Sequence, residues 1–125
     1  MLSNLEIYAV IPASDLGRAR EFYEDKLGLK PDDERGEGLI YQVKDSKFLL
    51  YETSFAGTAQ NTAATWVTDD LDSEMADLRS RGVEFEEYDF PGLKTENGVM
   101  TDENGGRAAW FKDSEGNILA LSEGM

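Results

Sequence analysis

The chain contains no cysteine and no histidine among its 125 residues. Without cysteine there can be no disulfide bond, thiolate nucleophile or zinc–sulfur site. Without histidine the chain lacks both the commonest general base and the commonest metal ligand. The sequence shows no pair of catalytic carboxylates, no nucleophile–base pair and no glycine-rich phosphate loop. No residue is therefore assigned a catalytic role.

Long apolar runs and basic residues are also scarce. No apolar stretch approaches the ~18 residues that a membrane-spanning helix needs, and there is no basic-then-apolar signal region at the N-terminus. Twelve basic residues stand against 26 acidic ones, and the net charge of −14 repels nucleic acid and anionic lipid. We therefore expect a cytoplasmic protein with no nucleic-acid or membrane partner. The acidic surface either serves solubility or salt adaptation, or steers a cationic ligand.

A strand–helix unit occurs twice in the chain. The first copy has a strand over Tyr8–Ile11, a turn at Pro12, and a helix that Ser14 can cap and Gly28 ends. The second copy has a strand over 63–67 and a helix over the apolar positions 71, 75 and 78, with Asp69 as cap and Gly82 as stop. Two copies of one unit in so short a chain indicate an internal duplication.

Each copy continues into three more strands, so the order strand–helix–strand–strand–strand is predicted twice. We expect the first copy over about residues 4–55 and the second over about 62–125, both within a single domain covering 1–125. In the first copy the further strands are predicted as a short edge strand within the loop Asp32–Gly38, then Leu39–Val43 and Lys47–Glu52. In the second copy they are predicted over Val83–Tyr88, Arg107–Lys112 and Ile118–Ser122. The long glycine-containing segment Asp89–Gly106 is expected to be functional or mobile, with Phe90, Leu93 and Met100 as its apolar contacts.

Successive side chains of a strand point to opposite faces, and this alternation assigns each residue to one of the two faces. Ile7, Ala9 and Ile11 are predicted to face the first helix, and Trp66 to lie in the core beneath a helix. The opposite face collects apolar, aromatic and small residues, namely Tyr8, Leu49, Tyr51, Ala63, Thr65, Trp110, Ile118 and Ala120. Because small residues leave space between the rings, we predict a ligand-binding surface on this face. A register slip of one residue would exchange the faces.

Several short motifs recur in a fixed order along the chain. They are Ser14-Asp15-Leu16, Phe22-Tyr23, Leu27-Gly28-Leu29, Asp69-Asp70-Leu71, Gly82-Val83 and the run Phe111–Asn117. In this order, and with the duplication, the sequence resembles the vicinal oxygen chelate superfamily, which includes glyoxalase I, bleomycin-resistance proteins and extradiol dioxygenases. The resemblance implies an α+β fold in which two βαβββ modules form curled mixed sheets around a cleft.

Enzymes of that superfamily hold a divalent metal in the cleft with histidine and glutamate side chains. The positions that match here are Tyr8, Tyr51 (Glu52 after a register slip), Ala63 and Ala120. Alanine cannot coordinate a metal, and neutral tyrosine is a poor ligand for a hard divalent ion. The resemblance therefore implies a member without the metal and without another cofactor, and such members often act as binding proteins.

The expected function is the binding of a small, partly aromatic or amphipathic molecule. The candidate ligand-binding residues are Tyr8, Tyr51, Ala63, Trp110, Ala120 and Arg107. The aromatic residues can stack on a ligand or can simply be core residues, and Arg107 can bind a carboxylate or form a surface ion pair. Two alternatives stay open, a glyoxalase- or dioxygenase-like enzyme and an antibiotic-sequestering protein. Family members commonly pair to cover sheet edges, so a homodimer is expected.

Overall fold

The computed structural model describes residues 1–36 and 38–124. Glu37, in a predicted loop, and Met125, at the end of the predicted second module, lie outside the described residues. The helices are α1 (Leu16–Asp25) and α2 (Leu71–Ser80). The strands are β1 (Ala9–Ala13), β2 (Asp33–Arg35), β3 (Gly38–Val43), β4 (Ser46–Glu52), β5 (Thr62–Thr68), β6 (Asp89–Phe90), β7 (Leu93–Lys94), β8 (Met100–Thr101), β9 (Arg107–Lys112) and β10 (Ile118–Glu123). In this part of the chain neither helix combines the length and the apolar character needed to cross a membrane.

Two four-stranded mixed sheets share one strand order. Sheet A runs β1-β4-β3-β2, and sheet B runs β5-β10-β9-β8. In each sheet the strand before the helix pairs in parallel with the last strand of its own half, and the other pairs are antiparallel. The predicted α+β fold of two βαβββ modules is confirmed. The second module carries an additional hairpin, formed by β6 and β7.

The inner faces of both sheets share one apolar core with the two helices. The helices contribute Ala19, Tyr23, Leu71, Met75 and Leu78, and the strands contribute alternate residues such as Ile11, Leu50, Phe111 and Leu119. Phe48 of sheet A meets Trp66 of sheet B edge to face, with 6.5 Å between the ring centroids. Because the inner faces share this core, the outer face of each sheet points away from it.

The first predicted strand is wrong at both ends. β1 continues to Ala13 through Pro12, where a turn was expected. In the described chain β1 pairs on one side only, with β4, and an edge strand tolerates a proline because the missing N–H is not needed by a neighbour. Ile7, predicted to face the helix, precedes β1 and is 90% exposed.

Both helices begin one residue later than predicted. Asp15 rather than Ser14 caps α1, because its carboxylate accepts a hydrogen bond from the N–H of Arg18. Asp70 rather than Asp69 caps α2 in the same way, because its carboxylate accepts a hydrogen bond from the N–H of Ser73. A carboxylate is well suited to this position because it also meets the positive end of the helix dipole.

The strand predicted over Val83–Tyr88 does not form as a regular strand. Phe85 makes an isolated bridge to Phe111, and the N–H of Glu86 donates to the carbonyl of Trp110 at 2.8 Å. At its other end β9 pairs with β8. The open edge of β9 is thus divided between two short segments, and the predicted loop over 89–106 contains three short strands.

Candidate ligand-binding site

The outer faces of the sheets carry the side chains that alternation predicted. In sheet A, Pro12 is in register with Tyr51. In sheet B, Ala120 is in register with both Trp110 and Thr65. Trp66, on the inner face, is partly buried and packs against the core. The strand registers therefore place Trp110, Ala120 and Thr65 together on the face of sheet B that points away from the shared core.

An open hollow of about 790 Å³ lies on the outer face of sheet B. One wall is Trp110, whose indole N–H donates to the hydroxyl of Thr62 at 3.1 Å. Tyr88 packs edge to face on Trp110 with 5.6 Å between ring centroids, and Phe90 packs on Tyr88 at 6.1 Å. The other lining residues include Glu86, Glu87, Leu93, Lys112, Gly116, Ile118 and the linker segment 57–62. Three rings fixed against each other offer a preformed surface for a flat or apolar molecule.

The charges around this hollow are mostly negative. The carboxylate of Glu86 lies 3.5 Å from the ammonium of Lys112. Glu87 accepts hydrogen bonds from the hydroxyl of Thr95 at 2.8 Å and from the N–H of Gly98 at 2.6 Å. Burial, and secondly the charge of Glu86, raise the pKa of Tyr88, so its phenol stays neutral. This arrangement favours a neutral or cationic ligand over an anion.

Tyr51 lies on the outer face of sheet A and Tyr8 directly precedes β1, and the hollow beside Trp110 includes neither of them. Each is 39% exposed. The ammonium of Lys47 lies 5.6 Å from the ring centroid of Tyr8, and both residues line a separate hollow of about 650 Å³. Within the described part of one chain, the predicted cleft walled jointly by Tyr8, Tyr51 and Trp110 is therefore not assembled.

The small candidate residues lie on sheet B. Ala63 is exposed on β5, and Ala120 on β10 is only 3% exposed because its register partners Trp110 and Thr65 flank it. The two differ in what an enlarged side chain would do. A larger side chain at position 120 would displace its neighbours on the sheet, whereas a larger side chain at position 63 would extend into solvent.

Arg107 is engaged in ion pairs. Its Nε donates to Glu123 at 2.9 Å, and its terminal nitrogens donate to Asp72 at 3.1 and 3.3 Å. The hydrogen bonds that Arg107 donates to Glu123 and Asp72 raise the pKa of Arg107. The hydrogen bonds that Glu123 accepts from Arg107 and from the N–H of Leu71 lower the pKa of Glu123. Since its guanidinium already serves two carboxylates at the start of α2, Arg107 is the candidate least available to a ligand.

The donor set at the superfamily's metal positions does not fit a metal ion. Ala63 and Ala120 on sheet B have no donor atom, whereas Tyr51 lies on β4 of sheet A and Tyr8 directly precedes β1. Nowhere in residues 1–36 and 38–124 do three or more histidine, cysteine, aspartate or glutamate side chains cluster as metal ligands. We therefore derive no chemistry through a metal.

Sequence reasoning missed Tyr88 and Thr62. Tyr88 reaches Trp110 because Glu86 pairs with the backbone of Trp110, a long-range contact that alternation does not encode. The signal that was available is the spacing of Tyr88 and Phe90, since residues two apart in an extended segment share a face. Phe90 and Leu93, predicted as contacts of a mobile segment, do line the hollow, whereas Met100 lies beside Arg107.

Comparison with known proteins agrees with this architecture. The family model of the Glyoxalase/Bleomycin resistance protein/Dioxygenase superfamily matches residues 7–121. No curated protein matches the chain by sequence.

Solved structures resemble the chain over nearly its whole length. A glyoxalase / bleomycin resistance protein from Catenulispora acidiphila has 24% identity and a TM-score of 0.71, over 95% of this chain and 97% of that chain. A bleomycin-binding protein complexed with bleomycin has 20% identity and a TM-score of 0.72, over 97% of this chain and 99% of that chain. The fosfomycin resistance protein FosX from Listeria monocytogenes has 16% identity and a TM-score of 0.72, over 100% and 96%. These likenesses show a shared fold, and the family match over residues 7–121 shows that this chain belongs to the glyoxalase/bleomycin resistance protein/dioxygenase superfamily.

Proposed function

We propose that this protein binds a small aromatic or amphipathic molecule on the outer faces of its sheets, without a metal. The observation that carries the proposal is the wall of three packed rings, Trp110, Tyr88 and Phe90, beside an open hollow of about 790 Å³. Trp110 is held by its hydrogen bond to Thr62 and by the ring of Tyr88, so it binds a flat ligand with little loss of side-chain freedom. The hairpin β6–β7, which carries Phe90 and Leu93, would act as a flap over the ligand.

A second copy of the chain would complete this site. β1 and β5 each pair on one side only within the described residues, and both carry exposed apolar side chains such as Val10 and Val67. In a homodimer the outer face of sheet A, with Tyr8 and Tyr51, would face the outer face of sheet B from the other copy. The ligand would then lie between these tyrosines and Trp110, above Ala63 and Ala120.

A thermal-shift screen of metabolites and antibiotics tests the proposal, because a ligand specific to the native state raises the melting temperature. Trp110→Ala and Ala120→Phe are expected to weaken the binding of any hit about tenfold or more. Phe55→Ala is the matched control, since Phe55 is 75% exposed and lies outside the hollow. Affinity should be unchanged by a chelator. If both variants bind as tightly as the parent, the site is elsewhere; if both lose their fold, these residues are core residues and the pocket is misassigned.

Antibiotic sequestration is the second candidate function. It is supported by the fold likeness to a bleomycin-binding protein and by the net charge of −14, which suits a cationic drug. Bleomycin and other cationic antibiotics therefore belong in the screen. The third alternative, a glyoxalase- or dioxygenase-like enzyme, lacks a donor set that fits its metal.

A further inference from the structure

A second cavity, of about 260 Å³, lies between the two modules on the inner side of the sheets. Both modules contribute to its walls, and none of its residues belongs to the hollow beside Trp110. The residues on which the argument depends are Leu27, Leu29, Val43, Trp66, Glu74 and Leu78.

Most of the residues that line this cavity are apolar, and several of them are incompletely covered. Leu27, Leu29, Val43 and Trp66 pack against the core but remain only partly buried. The ring of Trp66 is fixed at 89° to that of Phe48, so its orientation is set before any ligand arrives. Binding is favourable when the ligand covers apolar surface that was in contact with water. An engineered apolar cavity of about 150 Å³ holds benzene, so about 260 Å³ accommodates an aromatic ring with a short side chain.

Glu74 supplies one negative charge to the cavity. Its neighbours on α2 are paired, Asp72 with Arg107 and Asp77 with Arg81. Across residues 1–36 and 38–124 the carboxylate of Glu74 makes no hydrogen bond or ion pair with another residue. No basic residue lines the cavity. The cavity therefore complements a ligand that combines an apolar ring with a cation.

We propose that this cavity between the modules is a second binding site, for a small aromatic ammonium compound. Its ring lies against Trp66, and its ammonium pairs with the carboxylate of Glu74. The site goes beyond the proposed function, because it uses the inner side of the sheets and needs neither Trp110 nor a second copy of the chain.

The two tryptophans allow ligand binding at the two sites to be monitored separately by fluorescence. Trp110→Phe leaves Trp66 as the only indole, and Trp66→Phe leaves only Trp110. With 2-phenylethylammonium as the probe, the fluorescence of Trp66 is expected to change saturably, while that of Trp110 stays constant over the same concentrations. The neutral isostere 2-phenylethanol is expected to bind Trp110→Phe about three- to fivefold more weakly, as for a single exposed ion pair.

The charge variant tests the role of Glu74. Adding Glu74→Gln to Trp110→Phe is expected to abolish the preference for the ammonium over the alcohol. Glu21→Gln is the matched control, because Glu21 is an exposed glutamate on α1 that does not line the cavity, and the preference should survive it. Glu74→Gln and Glu21→Gln should leave the melting temperature of Trp110→Phe nearly unchanged, since neither carboxylate is paired within the described residues.

Three results would overturn the proposal. A fluorescence change of Trp66 that never saturates, or equal affinities for the two probes, would mean that no such site exists. A saturable response of Trp110 alone would place the probe in the outer hollow, which contradicts this proposal but supports the first one.

Discussion

At the scale of single residues, Glu115 connects the turn between β9 and β10 to the start of α1. Its enclosed carboxylate accepts hydrogen bonds from the N–H of Asp15 at 2.9 Å and the hydroxyl of Ser14 at 3.1 Å. Arg18 adds a bidentate contact at 2.9 and 3.1 Å. Burial acts to raise the pKa of Glu115, but these bonds, with one from Ser114, outweigh it and lower the pKa from 4.5 to about 2.

Stability should therefore depend on pH through Glu115. Because the folded pKa is the lower one, this stabilisation is fully present above pH 4.5 and is lost as pH falls through about 2. Its size is about 3 kcal/mol. Glu115→Gln is expected to lower the free energy of unfolding at pH 7 by about 2–3 kcal/mol and to flatten its decline at acidic pH. Urea denaturation at a series of pH values measures both effects.

Glu21→Gln again serves as the control and should keep the pH dependence of the parent. An unchanged acid slope in Glu115→Gln would show that other carboxylates cause the loss of stability.

At the scale of elements, the linker between the modules, residues 53–61, is packed against other parts of the chain. Gly57 has φ +73°, and a Cβ at this position would overlap the carbonyl oxygen of Glu115. Before it, the N–H of Thr53 donates to the carbonyl of Ala13 at 2.8 Å. The linker thus packs on the same β9–β10 turn whose Glu115 binds the start of α1.

Gly57→Ala and Gly36→Ala separate close packing from backbone strain. Gly36 has φ +57°, and a Cβ added there would meet nothing within 4 Å, so its substitution should cost only the left-handed conformation, about 1–2 kcal/mol. Gly57→Ala adds the overlap with Glu115, and we expect a further loss of about 1–3 kcal/mol. Urea denaturation of the two variants provides the comparison. Equal losses would mean that the linker moves aside and is not anchored.

Most elements could be predicted from the sequence because alternation and helical periodicity are local. The exceptions depend on distant residues. Pro12 stays in β1 because that strand is at a sheet edge, and Ser14 is not the helix cap because its hydroxyl donates to Glu115. For the site, alternation placed Tyr51, Trp110 and Ala120 on the outer faces, but it could not show which faces meet. That depends on how the inner faces pack together in one core. Arg107 alternates with the core residues Ala109 and Phe111 and pairs with Asp72 of α2, so it lies on the inner side.

At the scale of the whole molecule, the open edges β1 and β5 lead us to expect a homodimer. Light scattering at high micromolar concentration should give twice the chain mass of 13.9 kDa. Val10 is 53% exposed on β1, so Val10→Glu should shift the equilibrium to the monomer by placing a charge in the contact. Phe55→Ser, a polar change at an exposed apolar residue that belongs to neither β1 nor β5, should remain dimeric. A monomer mass for the parent protein would contradict the expectation.

The contact between Glu115 and the start of α1 also bears on how the chain folds during synthesis. Glu115 and Asp15 are 100 positions apart in sequence. When the first module leaves the ribosome, the residues that complete the cap of α1 have not yet been added. Contacts of such long range form late, because the intervening chain must first be ordered. The amino-terminal half is therefore completed only after translation has passed β9 and the turn that follows it, and the two modules reach their final structure together.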